Sequence, residues 1–231
     1  MNLRMRVLTF TALGLVAMFV LPLRADEPAK GSLTQQASPT PDETLRRLKE
    51  GNGRFVADMP DMAEPASKKR IQLSGGQRPI AVVLTCADSR VAPEIVFDNG
   101  LGMLFVIRVA GNVGGPAVYA SMEYALAELK TPLIVVLGHT SCGAVAAALK
   151  GKEPPSDNLK HLISLIHTDG DLPKATTLDT AVRNNVQHQT QLLTKHSSII
   201  RDFAASGRIK VVPAVYDLKT GVVNWLEPPR K

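Results

Sequence analysis

Residues Ile80–Arg90 read IAVVLTCADSR. An apolar run passes through Thr85 into Cys86, and Asp88, Ser89 and Arg90 follow within four positions. A short run of this kind, rich in β-branched residues and without polar alternation, predicts a strand buried on both faces. Pro132–Cys142, PLIVVLGHTSC, repeats the plan: a second apolar run that ends in His139 and Cys142. Cys86 and Cys142 are the only cysteines in the chain. Both fall just past the C-terminal end of a predicted strand, where open α/β sheets place their ligands.

Working outward, Leu104–Val109 and Ile209–Tyr216 give two more strands. Lys219–Gly221 is a hairpin turn into a last strand at Val222–Leu226. Helical patterns lie between the strands. Val91–Phe97 makes a helical turn. Gly114–Leu129 carries Ala117, Met122, Ala125, Leu126 and Leu129 on one side. Ser141–Leu149 starts at the second cluster. Leu159–Ile166 and Leu178–Ala205 follow, the latter in two segments that part near Lys195–Ser197. Ahead of the first strand, Ser67–Ser74 is a short basic helix. Pro41–Asp58 is an N-terminal helical arm capped by Thr40 or Asp42, and Gly51-Asn52-Gly53 is expected to break or turn it. Alternating strands and helices predict an α/β fold: a mainly parallel central β-sheet with an antiparallel edge strand, flanked by helices.

Hydrophobic residues make up 45% of the 231 and charged residues 21%, so the chain is globular and long enough for one domain with a real core. The first 25 residues have the layout of a signal peptide. Arg4 and Arg6 form a basic start, Val7–Leu23 is uncharged and apolar, and Ala25 offers a cleavage point. An uncleaved membrane anchor is the alternative reading. Residues 26–41, rich in Pro, Ser, Thr, Gln and Ala, form a linker, and residues 42–231 form the domain. Cleavage removes three arginines and no acid, and the net charge falls from +6 to +3. That mild excess, with no basic helix interleaved with aromatics, excludes a nucleic-acid partner. The protein is expected in the periplasm or outside the cell, with no stable membrane association once the leader is gone.

An oxidising compartment ordinarily suggests a disulfide for two cysteines. Here both are set among polar, metal-competent neighbours, which favours a metal that holds them as thiolates. Cys86, His139 and Cys142 supply two sulfurs and one nitrogen, a set suited to zinc with a fourth position free. Structural zinc sites fill all four positions, so a missing ligand argues for a working site in which zinc prepares hydroxide from water. Two thiolates neutralise much of the ion's charge, so the water needs help. Asp88 is placed to ligate the metal or to accept a hydrogen bond from its water. Arg90 would keep Asp88 ionised through a paired hydrogen bond.

Cys86-Ala-Asp88-Ser89-Arg90 followed by His139-Thr-Ser-Cys142 resembles the zinc signature of the β-class carbonic anhydrases. The resemblance runs from about Pro41 to Leu226, with support from LKEGNGRFV, LFVIRVAGN, SMEYAL and AVYDLKTGVV. It implies reversible hydration of CO₂ to bicarbonate and a proton by zinc-bound hydroxide. Zn²⁺ would be held by Cys86, His139 and Cys142, with Asp88 as an additional ligand in a closed state. Asp88 and Arg90 would be the catalytic dyad. Gln77, Phe105 and Tyr124 would line the CO₂ pocket, which the family builds at a dimer interface, so a homodimer or higher homo-oligomer is implied. One subgroup carries a Trp three residues before the first cysteine and binds inhibitory bicarbonate beside the zinc. Val83 stands at that position here, which implies a plant-type site without that switch.

Gly143, at the start of the helix after Cys142, offers a backbone N–H to substrate. Gly111, Gly114 and Gly115 do not form the spacing of a dinucleotide loop. His161, His167, His188 and His196 are read as surface or structural. Two other functions share the same features: hydrolysis of a CO₂ analogue such as carbonyl sulfide or carbon disulfide, and a non-catalytic zinc-binding protein. The intact Asp88, Arg90 and Gln77 weigh against the latter.

Overall fold

The computed structural model describes residues 39–61, 66–151, 153–167 and 177–229. The expected leader and most of the linker lie outside them. Five strands form one sheet: β1 (Ala81–Thr85), β2 (Leu104–Arg108), β3 (Leu133–His139), β4 (Lys210–Tyr216) and β5 (Val223–Trp225). Their order is β2-β1-β3-β4-β5, parallel except for the last pair, in which β5 runs antiparallel to β4. This is the α/β architecture with an antiparallel edge that the strand and helix pattern predicts.

Every residue of β1 and β3 is buried. Their alternating side chains supply two apolar layers. Val82, Leu84, Ile134 and Val136 face one layer, with α4 (Pro116–Ala127), α5 (Gly143–Lys150), α7 (Leu178–His196) and α8 (Ser198–Ala205) packed on it. Ala81, Val83, Leu133, Val135 and Leu137 face the other, under α1 (Pro41–Val56) and α3 (Pro93–Val96). Two covered faces explain why these strands are continuous apolar runs. The helices α2 (Ala66–Leu73) and α6 (Asp157–Ser164) complete the chain order. The break between α7 and α8 falls at Ser197, whose hydroxyl caps α8 by accepting from the Ile200 amide.

The N-terminal arm corrects one expectation. Helix α1 begins at the Thr40 cap but continues unbroken through Gly51-Asn52-Gly53. Tertiary contacts override the weak helix propensity of these residues. Gly51 lies so close to α3 that a Cβ would sit 1.9 Å from the Phe97 carbonyl oxygen. Asn52 donates to the Val96 and Gly221 carbonyls (3.0 and 2.9 Å) and accepts from the Val223 amide (2.9 Å). One buried side chain thus ties α1 to α3 and to the β4–β5 hairpin. Within the described residues no helix is long and apolar enough to cross a membrane.

Candidate active site

The parallel register pairs Thr85 of β1 with Leu137 of β3, and the Thr85 hydroxyl donates to the Leu137 carbonyl (3.0 Å). The two strands therefore deliver Cys86 and His139 to the same end of the sheet, and the turn after β3 brings in Cys142 ahead of α5. Gly138 has a steric role here. A Cβ on it would sit 2.4 Å from Val186 of α7, so only glycine lets that helix pack against the backbone beside His139.

The ligand atoms of Cys86, His139 and Cys142 all lie within 4.8 Å of one another, and all three residues are buried. The sulfurs are 4.0 Å apart. A disulfide needs about 2 Å. Two sulfurs on one tetrahedral zinc stand about 3.8 Å apart, from Zn–S bonds of about 2.3 Å. His139 Nδ1 lies 2.9 Å from the Thr140 carbonyl, which only accepts, so this nitrogen carries the proton and donates. Nε2 is left with its lone pair, fully buried and without a hydrogen-bond partner. A buried polar atom with no partner is costly unless something else binds it. Two sulfurs at zinc spacing and one unpartnered imidazole nitrogen fit a zinc ion, and the second nitrogen's bond to a carbonyl is what metal-binding histidines ordinarily have.

The two sulfurs share a hydrogen bond. That bond holds the Cys86 thiol below its ordinary pKa, helped by His139 and by the Gly111 amide. The same sharing, with burial, pushes Cys142 up, against the pull of the Val145 and Ala144 amides in the first turn of α5.

Asp88 stands beside this set. Its Oδ1 accepts from the Arg90 amide (3.0 Å) and Nε (2.9 Å), and Oδ2 accepts from Arg90 Nη2 (2.7 Å). The forked bond from Arg90 is the main reason that Asp88 is held well below the usual carboxylate range. Asp88 Oδ2 also lies 3.8 Å from the unpartnered His139 Nε2.

Sequence reading missed Arg108. It is the last residue of β2, and its guanidinium donates to the Cys86 carbonyl (3.3 Å) and the Asp88 carbonyl (2.6 Å). It clamps the backbone that carries both side chains. A lone charge at the end of LFVIR was the available signal. Also missed was Gly111, whose N–H donates to Cys86 Sγ (3.3 Å) from the 3₁₀ turn Ala110–Asn112.

Gly143 is the first residue of α5, directly after Cys142; it is exposed, and a Cβ there would meet nothing within 4 Å. The other three expected pocket residues are elsewhere. Phe105 pairs in register with Val82, four positions before Cys86, or about 13 Å of strand. Tyr124 on α4 packs on Phe105 with ring centroids 6.5 Å apart. Gln77 is exposed, in the loop that enters β1. These three share the N-terminal end of the sheet, opposite the cysteines. Of the other histidines, His167 stacks on His188 (3.7 Å) and His196 on Tyr119 (5.5 Å), and His161 lies exposed in α6.

A carbonic anhydrase family model matches residues 81–223, which spans both cysteine clusters and strands β1 to β4. The chain belongs to the β-class carbonic anhydrase family. It is 40% identical over 187 residues to carbonic anhydrase 2 of Mycobacterium tuberculosis, which covers 78% of this chain and 90% of that protein. It is 41% identical over 190 residues to the carbonic anhydrase of Mycolicibacterium smegmatis, which covers 80% and 92%. Among solved structures it resembles the β-carbonic anhydrase of Coccomyxa in complex with acetazolamide. That match has a TM-score of 0.59 at 28% identity and covers 79% of this chain and 86% of that one. As a β-class carbonic anhydrase the protein is a zinc enzyme that hydrates CO₂, and Cys86, His139 and Cys142 are the residues able to hold its metal.

Proposed function

We propose that Asp88 and Arg90 act as a pair on the water that attacks CO₂. The observation that carries this is the position of Asp88: fixed by three hydrogen bonds from Arg90, with Oδ2 3.8 Å from the lone pair of His139. Zinc, when bound, supplies a Lewis acid that lowers the pKa of the water substrate. Asp88 accepts a hydrogen bond from that water and aims its lone pair at CO₂. Arg90 keeps Asp88 ionised and holds it as an acceptor. The Gly143 amide, at the N-terminus of α5, meets the negative charge that develops on bicarbonate. Asp88→Ala is expected to retain zinc and to lose turnover in stopped-flow CO₂ hydration by about 10²–10⁴-fold. Full activity in this variant would remove the assigned role.

The enzyme works as a homodimer or larger assembly, with Gln77, Phe105 and Tyr124 serving the metal of a second copy. Their distance from the chain's own cysteines supports this, as does the exposure of Tyr124 (51%). Val83 is a fully buried strand residue, so no tryptophan stands there to support a bicarbonate-driven switch. A sigmoidal bicarbonate dependence abolished by Asp88→Ala would overturn that reading. The basic and apolar start of the chain supports export to the periplasm or beyond. A secreted-fraction protein with an intact residue 1 by mass spectrometry would contradict leader cleavage.

A further inference from the structure

The turn that reaches Cys86 is held from outside the site. Gly111 has φ 72° and ψ 15°, in the left-handed region. A Cβ on it would sit 2.7 Å from Ile166 Cδ1, so a side chain is unwelcome there for two reasons. Its N–H donates to Cys86 Sγ, and its carbonyl accepts from Asn185 Nδ2 (2.8 Å). Asn185 lies on α7 and is completely buried. Its Oδ1 accepts from the His167 amide (3.2 Å) and from Gln189 Nε2 (3.4 Å). Gln189 in turn accepts from the Gly114 amide (2.8 Å) and donates to the Leu165 carbonyl (2.8 Å). Asn185 and Gln189 are both buried and these bonds satisfy one another, which favours a single arrangement.

A glycine in this region turns over cheaply when it is free. Pinning its carbonyl anchors one peptide plane of the turn and restrains how the adjoining N–H can swing away from the sulfur. A hydrogen bond to a thiolate draws electron density from sulfur and orients the ligand. We propose that Asn185 is a positioning residue for the metal centre: through Gly111 it aims a backbone N–H at the Cys86 sulfur and tunes that ligand. The proposal rests on Cys86 being a zinc ligand.

The test replaces zinc by cobalt(II) in the full chain and records the sulfur-to-cobalt charge-transfer band. Asn185→Ala is expected to shift the band to longer wavelength, because a thiolate that loses a hydrogen bond is a stronger donor. Its zinc dissociation constant, from competition with a chromophoric chelator, is expected to rise ten- to a hundredfold. If that variant does not fold, Asn185→Leu keeps a similar volume and removes the donor to Gly111 without adding a charge, and the same shift is expected. Asn52→Ala is the control, a buried asparagine on the other face of the sheet whose hydrogen bonds go to Val96, Gly221 and Val223 and to none of the three ligands, and its band stays in place. A band in the wild type that neither Asn185 variant moves overturns the proposal. The absence of any such band in the wild type overturns the ligand set itself, and the proposal with it.

Discussion

The two ends of the sheet are built on different plans. At the C-terminal end the three ligands are buried and their surroundings are bonded: Asp88 accepts three hydrogen bonds from Arg90, the Cys86–Asp88 backbone is clamped by Arg108, and one lone pair on His139 is left for a metal. At the N-terminal end Gln77 is exposed and Tyr124 half open. One end is complete within a chain; the other offers surface. Metal binding is therefore a property of the single chain, whereas full turnover is expected to need two.

The sharpest break in this contrast is at the complete end. Cys86→Ser is expected to lose zinc to background by elemental analysis after dialysis against a chelator, and all CO₂ hydration with it. A variant that kept its zinc would show the three-ligand reading to be wrong. The next test is at the open end. Asp88→Ala and Gln77→Ala are each expected to be weak alone. Mixed and reassociated, they form pairs in which one site has both residues intact, if Gln77 serves the partner. A one-to-one mixture should recover about a quarter of wild-type activity, since half of the pairs are mixed and each has one good site. No recovery would mean that Gln77 acts within its own chain.

Smaller effects belong to the scaffold that both ends share. Asn52→Ala removes three buried hydrogen bonds and is expected to cost about 1–3 kcal/mol in urea unfolding with kcat unchanged. A change in kcat without loss of stability would assign Asn52 to the chemistry. Smallest is Asp217, after β4, whose Oδ1 accepts from the Thr220 (2.8 Å) and Lys219 (2.9 Å) amides. The Thr220 bond, with that of Lys219, lowers its pKa in the folded chain. A depressed carboxylate contributes stability above its unfolded pKa and loses it as pH falls through the folded one. Wild type should therefore be slightly more stable than Asp217→Ala at neutral pH, with the gap closing below about pH 4. A gap that widened on acidification would contradict the sign.

Much of the complete end was legible in the sequence, because the strands, the metal-competent residues and the hydrogen-bonded Asp88–Arg90 pair are packed into short stretches. IAVVLTCADSR and PLIVVLGHTSC each contain a buried strand and the groups at its end, so local pattern and local chemistry agree. The misses share one physical cause. Arg108 reaches Cys86 and Asp88 from a neighbouring strand, Asn185 reaches Gly111 from a helix 74 positions further on, and Asn52 crosses to Val223 over 171. Each makes its bonds only in the folded chain. Asn52 shows the limit most clearly, since Gly51-Asn52-Gly53 has turn composition and yet is helix.

The pairing of Thr85 with Leu137 has a consequence for how this protein can vary. Cys86 is one step past that pair and His139 two steps past it, so their separation follows the interstrand spacing of about 4.8 Å. The backbone acts as a ruler for the donor atoms. Side-chain torsions can trim the fit to an ion, but the reading on the ruler does not depend on loop length elsewhere. The connections around Gly151 and Ser206 are thus free to lengthen or shorten without recalibrating the centre. A one-residue slip between β1 and β3 has no such freedom.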